Sequence, residues 1–196
     1  MQAGAERMTQ AIRSLEAAFL IGVEGATEIW LVRHGDCYEG MADEPDPPLS
    51  PTGRRQAEKL ARRVRALEPV AVYASPSRRA LETAQLIIPD VLTDGRLVEM
   101  TFELGEGGAI NFTESPADVV ARMTAAIDEF AVAHAGGRVI VVAHAGAILH
   151  YLTHVLHLEP GTLRLLPYFT SVSVVRALGD RRMVGTLCDT AHLESR

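Results

Sequence analysis

The sequence predicts an α/β fold with three layers, in which helices cover both faces of a mainly parallel central sheet. Strand-like and helix-like segments alternate along the 196 residues, which is the pattern of parallel strands joined by helical crossovers. Two runs, 29–32 and 139–143, are almost entirely apolar, and each leads into a histidine. Such runs are typical of buried parallel strands, whose carboxyl ends form the edge at which α/β folds bind ligands.

Apolar periodicity and helix-breaking residues define the other elements. Pro89 ends one helix, Pro116 begins the next, and Gly136 follows its end. We expect helices over five segments: 5–20, 52–67, 77–88, 116–134 and 145–157. We expect strands over five others: 29–32, 70–74, 139–143, 170–177 and 183–188.

The N-terminal segment predicts a helical extension over 1–27, which is followed by one domain over 28–196. Along one face of its helix runs an apolar stripe at spacings of four, three and four residues: Met8, Ile12, Leu15 and Phe19. We expect this stripe to dock on the chain's own core. The alternative is a contact between two copies of the chain, which would make the protein a homodimer.

Composition and charge exclude several classes of protein. The net charge of −6 argues against a general nucleic-acid partner. The apolar runs are too short to span a bilayer, and the two cysteines, Cys37 and Cys188, do not imply a disulfide framework. We therefore expect a cytoplasmic enzyme domain that binds neither nucleic acid nor membranes.

Arg33, His34 and His144 are the candidate functional residues at the ends of the two apolar runs. Both histidines follow predicted strands of one sheet, so we expect two imidazoles in one site. Imidazole is a good nucleophile near neutral pH, and the Arg33 guanidinium is suited to bidentate binding of phosphate oxygens. His34 is thus suited to in-line attack on phosphorus, which would give a phosphohistidine. A metal site is the alternative, but Arg33 would repel a divalent cation and the sequence contains no HExxH motif.

Several segments in order resemble the histidine phosphatase superfamily, also called the phosphoglycerate mutase-like family. They are LVRHGD (31–36), LSPTGRRQA (49–57), SPSRRALETA (75–84), VVAHAG (141–146) and the ending CDTAHL (188–193). The likeness covers about residues 28–193. It implies a phosphoglycerate mutase-like fold and catalysis that needs neither a metal nor another cofactor.

The resemblance also implies a role for each matching residue. His34 would be the nucleophile that becomes phosphorylated, and Arg33 and Arg79 would clamp the phosphoryl oxygens. His144 would be the second imidazole, which stabilises charge on the transferring group. Arg79 fits better than Arg78 because the family's arginine directly precedes an alanine.

A general acid is needed to protonate the leaving alkoxide. The family supplies it from a glutamate in a segment similar to 97–107, and an alignment without gaps gives this role to Glu99. Glu103 and Glu106 stay open as alternatives, because the motif departs from the family around them. Glu103 stands where glycine is usual, and Gly105 stands where tryptophan is usual.

Two further positions near the expected phosphate site differ from the family pattern. Gly40 stands where many members have an asparagine seven residues after the signature arginine, and Ala145 stands where the second histidine is often followed by glycine. We include both, with Arg33, Arg79 and His144, among the candidate substrate-binding residues.

The segment between Glu106 and Pro116 is shorter than the covering lid of those family members that have one. An open pocket favours hydrolysis because water can reach the phosphohistidine, whereas a mutase must exclude water. We therefore predict a metal-independent phosphatase that acts on small phosphate monoesters. The alternatives are a protein phosphohistidine phosphatase, a phosphoglycerate mutase-type phosphotransferase, and a regulatory module that binds a phosphate ligand without turnover.

Overall fold

The protein is described by a computed structural model over residues 2–37 and 45–194. Its helices are α1 (Gln2–Ala18), α2 (Pro51–Arg65), α3 (Arg78–Gln85), α4 (Pro116–Ala133), α5 (Ala145–Val155) and α6 (Ala191–Glu194). Its strands are β1 (Thr27–Arg33), β2 (Ala71–Ala74), β3 (Leu92–Thr93), β4 (Phe102–Leu104), β5 (Ile110–Phe112), β6 (Arg138–Ala143), β7 (Val172–Leu178) and β8 (Arg181–Asp189). Each predicted helix and strand is present, with its ends moved by a few residues.

The central sheet has six strands in the order β3-β2-β6-β1-β7-β8. The first four run parallel, and β7 is antiparallel to both of its neighbours. The mainly parallel sheet expected from the sequence is therefore confirmed. Arg33 at the end of β1 is paired with Ala143 at the end of β6, so that His34 and His144 leave the sheet side by side.

Alternating side chains of the sheet enter two apolar layers. On β1, Ile29 and Leu31 pack into the layer formed with α4 and α5, whereas Trp30 and Val32 pack into the layer formed with α2 and α3. The predicted three-layer architecture follows from this division. Burying one large apolar side chain contributes about 1.5–3 kcal/mol, so these layers hold the strand ends in place.

Caps set where two of the helices begin. The Ser50 side chain accepts a hydrogen bond from the Gly53 N–H at the start of α2, and it also donates to Asp36 in the segment after His34. Ser115 and Asp118 form a reciprocal capping box at the start of α4. The cap of α2 thus connects that helix by a hydrogen bond to the segment that follows His34.

The apolar stripe of α1 does not dock on the core, so this expectation was wrong. Its side chains are half or more exposed: Met8 64%, Ile12 50%, Leu15 62% and Phe19 51%. Helices α2 to α5 already occupy both faces of the sheet, so the place that the stripe would fill is taken. A contact between two copies stays a prediction, and so does the division into 1–27 and 28–196.

Strands β4 and β5 form a separate two-stranded hairpin in the region expected to be a loop. Phe102 and Phe112 lie opposite each other in its register, with ring centroids 6.4 Å apart. Strands of three residues are too short to show an alternating pattern, which is why the sequence does not reveal them. Among the helices described, none is long and apolar enough to cross a membrane.

Candidate active site

The carboxyl ends of β1 and β6 bring His34 and His144 together. The His34 N–H donates to the Ala143 carbonyl at 3.0 Å, which extends the pairing of the two strands by one residue. The two ring centroids lie 5.1 Å apart, and both side chains are buried. Two imidazoles therefore share one site, as the sequence predicted.

Arg79, in the first turn of α3, connects the two imidazoles. Its Nε lies 3.2 Å from His34 Nε2, and its Nη2 lies 3.2 Å from His144 Nδ1. The neighbouring Arg78 is half exposed and pairs with Glu82 at 3.0 Å, away from both rings. The structure thus places Arg79, and not Arg78, between the two histidines.

Arg33 approaches the site from the last position of β1 and is held by the segment before β7. Its Nη1 donates to the Pro167 carbonyl at 2.8 Å, and its guanidinium lies 3.9 Å from the centroid of the Phe169 ring. That ring is also 5.9 Å from the His34 ring. Phe169 therefore contacts both members of the Arg-His pair.

The hydrogen bonds define which nitrogen of His34 carries the proton. Its Nδ1 lies 2.7 Å from the Gly35 carbonyl, which can only accept, so Nδ1 is protonated. The guanidinium of Arg79 can only donate, so Nε2 of His34 holds a lone pair. The atom that faces the positive charge of Arg79 is therefore the one able to attack phosphorus.

His144 is held by a hydroxyl group instead of a backbone carbonyl. Its Nε2 lies 2.9 Å from Ser75 Oγ, and its Nδ1 accepts from Arg79, so Nε2 carries the proton. Ser75 precedes α3 in the same segment as Arg79. One segment thus positions the arginine and orients the second imidazole.

Burial keeps both imidazoles neutral at pH 7. It lowers the pKa of His34 to about 3, with smaller contributions from the positive charges of Arg79 and Arg33. Burial also lowers the pKa of His144 well below its usual value, with His34 and Arg79 adding to the effect. A dianionic phosphate bound beside the two imidazoles would offset the positive charges of Arg79 and Arg33, and it would thereby favour protonation of an imidazole.

Glu99 lies against the helix that follows His144. Its Oε1 accepts from the Met100 and Ala147 N–H groups at 2.9 and 3.0 Å, and its Oε2 accepts from the Gly146 N–H at 3.1 Å. The amino end of α5 is a favourable place for this negative charge. Because α5 begins directly after His144, the Glu99 carboxyl group is held by the backbone that follows the second histidine.

The two other glutamates considered as the acid lie elsewhere. Glu103 is exposed on β4, and Glu106 is exposed in the turn between β4 and β5. Of the three carboxylates, Glu99 is therefore the one that lies at the amino end of α5, the helix that begins directly after His144.

The two remaining candidates differ in what the structure shows of them. Ala145 is buried as the first residue of α5, directly after His144. Gly40 falls between residues 37 and 45, outside the described residues. Across the described part of the chain, no group of three or more His, Cys, Asp or Glu residues is arranged to hold a metal ion.

The sequence did not identify several residues that support this site. Ser75 and Thr83 lie within the SPSRRALETA segment, and Thr83 accepts from the Gly35 N–H at 3.0 Å. Their place in that motif was an available signal. Asp46 caps α3 through the Arg78 N–H and lies 3.3 Å from Arg79, whereas Phe169 acts through packing, and no local pattern marks either residue.

Two curated relatives align with this chain over most of their length. A probable phosphoglycerate mutase of Yersinia enterocolitica is 28% identical over 213 residues, which covers 85% of this chain and 95% of the relative. A metal-independent phosphoserine phosphatase of Arabidopsis thaliana is 29% identical over 207 residues, which covers 86% of this chain and 84% of the relative.

A solved structure supports the fold independently. A phosphoserine phosphatase of Entamoeba histolytica, crystallised as a mutant with phosphoserine, superimposes with a TM-score of 0.73 at 19% identity. The match covers 85% of this chain and 99% of the other. The predicted phosphoglycerate mutase-like fold is also confirmed by a phosphoglycerate mutase of Bacillus anthracis, with a TM-score of 0.68 at 17% identity, over 87% of this chain and 96% of the other.

The model of one protein family spans nearly all of the region from β1 to β8. It is described as histidine phosphatase superfamily (branch 1), and it matches residues 29–110 and 104–190. The matched region contains His34, Arg79, Glu99 and His144. The chain therefore belongs to the histidine phosphatase superfamily (branch 1), and it is an enzyme that acts on phosphate esters.

Proposed function

We propose that this enzyme is a metal-independent phosphatase that hydrolyses small phosphate monoesters through a phosphohistidine at Nε2 of His34. The observation that carries the proposal is the lone pair of His34 Nε2, which faces Arg79 within a site that also holds His144. A neutral nucleophile beside fixed positive charge is suited to attack on a phosphate ester.

The first step transfers the phosphoryl group to His34. Arg79 and Arg33 bind its non-bridging oxygens, and the guanidinium N–H groups that now contact the imidazoles turn to the phosphate. Nε2 forms a bond to phosphorus while the bond from phosphorus to the ester oxygen breaks. His144 bonds Ser75 through Nε2, so once its Nδ1 is protonated that nitrogen donates a hydrogen bond to the transferring group and stabilises its charge.

The leaving oxygen takes its proton from Glu99, which enters this step as the neutral carboxylic acid. Among the described residues, Oε1 of Glu99 accepts two N–H groups and Oε2 accepts one, so Oε2 retains a lone pair that can carry the proton. After the alcohol leaves, water attacks phosphorus, and the Glu99 carboxylate accepts the proton of that water. The bond to Nε2 breaks, inorganic phosphate leaves, and His34 returns to its starting state.

The relatives support a small substrate. The Arabidopsis relative is a metal-independent phosphoserine phosphatase, and the Entamoeba structure contains phosphoserine. Both are consistent with a monoester on a short, polar alcohol. The Yersinia relative favours phosphoglycerate mutase activity as a second candidate, which a mutase assay with 3-phosphoglycerate would detect.

Hydrolysis of p-nitrophenyl phosphate in the presence of EDTA tests the proposal. We expect the wild-type enzyme to release phosphate, His34→Asn to be inactive, and alkaline quenching to trap a phosphoryl group on wild-type His34. Arg79→Ala should lose most activity, whereas the matched variant Arg78→Ala should retain it, because Arg78 pairs with Glu82 outside the site. Activity that survives in His34→Asn, or that disappears with EDTA, would contradict the proposal.

A further inference from the structure

We propose that His192 is a positioning residue that acts through Thr170 to hold the backbone of Arg33 and His34 in the geometry for phosphoryl transfer. The proposal rests on the proposed function for its effect on catalysis, but its geometry is independent of it. His192 lies in α6, at the opposite end of the described chain from β1. A chain of hydrogen bonds joins the two.

Thr170 holds the backbone directly after β1. Its N–H lies 3.0 Å from the Arg33 carbonyl and 3.3 Å from the His34 carbonyl, so one donor serves both residues of the pair. Thr170 is fully buried, and its φ of 57° places a β-branched residue in the left-handed region. Such a conformation is unfavourable and persists only where neighbouring groups hold it.

The preceding residues hold the side chain of Arg33. The Pro167 carbonyl accepts from Arg33 Nη1 at 2.8 Å, and the Phe169 ring stacks on the guanidinium at 3.9 Å. Residues 167–170 therefore hold both the backbone and the guanidinium of Arg33. A movement of Thr170 would move these contacts together.

His192 is the side chain that secures Thr170. The Thr170 hydroxyl donates its only proton to the Phe169 carbonyl at 2.7 Å, and it lies 3.0 Å from His192 Nε2. The hydroxyl must therefore accept from this ring, which requires the proton on Nε2 of His192. Burial lowers the pKa of His192 to about 4, with a further contribution from Arg63, so the ring is neutral at pH 7 and has one proton to place.

The hydrogen bond to Thr170 is the one that the His192 ring makes, as the state of its other nitrogen shows. Among the described residues, no hydrogen-bond partner reaches the buried Nδ1 of His192. A buried acceptor without a partner is unfavourable, and an apolar side chain of similar size would avoid it. The imidazole thus donates a hydrogen bond from Nε2 to Thr170, despite the cost of leaving Nδ1 without a partner.

Four variants test the proposal. His192→Leu removes the donor, and His192→Gln keeps an N–H near the position of Nε2. Thr170→Val removes the hydroxyl and keeps the branched side chain, whereas Thr170→Ser keeps the hydroxyl. We expect His192→Leu and Thr170→Val each to lower kcat by about tenfold or more with a smaller change in KM, because misplaced reacting groups slow the chemical step. His192→Gln and Thr170→Ser should recover most of that loss.

A matched control separates this effect from the general cost of replacing a histidine. His134 also bonds a hydroxyl, with its Nε2 2.9 Å from the Tyr73 oxygen, but it follows α4 near the start of β1. His134→Leu should therefore leave kcat unchanged. All rates are corrected for the folded fraction, which is measured by chemical denaturation.

A second measurement does not depend on activity. The backbone amide signals of His34 and Gly35 in NMR spectra should shift in His192→Leu and return towards wild type in His192→Gln. If these signals move but the wild-type enzyme hydrolyses no ester, the positioning role stands and the proposed function fails. If kcat and the amide signals of folded His192→Leu match the wild type, or if His192→Gln loses as much as His192→Leu, the positioning proposal is wrong.

Discussion

The ends of β1 and β6 have the same pattern in the sequence but differ in what surrounds them. Each strand leads into a histidine with a glycine soon after it: Gly35 follows His34, and Gly146 follows His144 by two residues. A Cβ atom at Gly35 would lie 2.7 Å from the backbone oxygen of Gly53, which cannot easily move. A Cβ atom at Gly146 would lie 2.7 Å from the carboxylate of Glu99, the end of a flexible side chain.

Under the proposed mechanism, this difference corresponds to two different roles. The end of β1 is closed by backbone from α2, which would give the nucleophile a rigid support. The end of β6 is closed by the side chain of Glu99, the group proposed to donate and then accept a proton. We therefore expect changes at the end of β1 to remove the chemistry or the fold, and changes at the end of β6 to weaken individual steps.

The largest expected effect comes from replacing the two histidines separately. Under the proposed mechanism, His34→Asn removes the attacking lone pair and should lower kcat by about 10⁵-fold or more, because His34 forms the covalent intermediate. His144→Asn removes only charge stabilisation and should cost about 10²–10³-fold. Rapid-quench measurement should show that the phosphoenzyme forms at a reduced rate in His144→Asn and does not form in His34→Asn. Equal losses in the two variants would remove the proposed distinction between the strand ends.

The next effect concerns Glu99. Glu99→Gln should slow hydrolysis of an alkyl phosphate by about 10²–10⁴-fold, because the poor leaving group needs a proton. The same variant should hydrolyse p-nitrophenyl phosphate with a much smaller loss, since nitrophenolate leaves without protonation. Glu103→Gln and Glu106→Gln serve as matched controls, because both side chains are exposed on the hairpin. If Glu99→Gln loses the same factor on both substrates, Glu99 is not the acid.

A smaller effect separates the two glycines. Gly35→Ala should destabilise the fold by about 1–3 kcal/mol, because its Cβ would meet the Gly53 backbone oxygen at 2.7 Å and the Leu49 side chain at 3.0 Å. Gly146→Ala should leave the melting temperature unchanged or higher, since alanine favours a helix, but should lower alkyl phosphate hydrolysis by about tenfold as Glu99 shifts. Thermal unfolding and steady-state kinetics on both variants check this. A Gly146→Ala enzyme with full activity would mean that the position of Glu99 does not matter.

The smallest effect is on stability in acid, where the two strand ends should behave alike. Burial holds the pKa of His34 at about 3 and that of His144 well below its usual value, against an ordinary value near 6.5 in the unfolded chain. Between about pH 6.5 and 4 the unfolded chain binds more protons, so the free energy of unfolding falls as the pH falls.

Urea unfolding across this pH range tests the sign and the number of groups. His34→Asn should reduce the slope of the free energy of unfolding against pH by up to one proton. At the lower end of the pH range this is about 1.4 kcal/mol per pH unit. His144→Asn should do the same, and His134→Asn is the matched control. A wild-type enzyme that becomes more stable as the pH falls from 6.5 would contradict the buried neutral state of these rings.

The sequence alone determined the elements that a strong local pattern of residues marks. The apolar runs at 29–32 and 139–143 predicted buried parallel strands of one sheet, because buried strands need continuous apolar character and parallel strands end at one edge. The resemblance to the family selected Arg79 over Arg78 and favoured Glu99 as the acid. These residues could be predicted because each occupies a matching position in a motif of the family.

Only the tertiary structure decided the features that join distant parts of the chain. Three contacts depend on segments far apart in sequence: that of Arg79 with His34, the stacking of Phe169 on Arg33, and the bond from His192 to Thr170. The exposed stripe of α1 shows the same limit: periodicity predicts which face of a helix is apolar, but not whether a partner surface remains for it. Local patterns record what each segment can bury, and the three-dimensional packing decides what each segment meets.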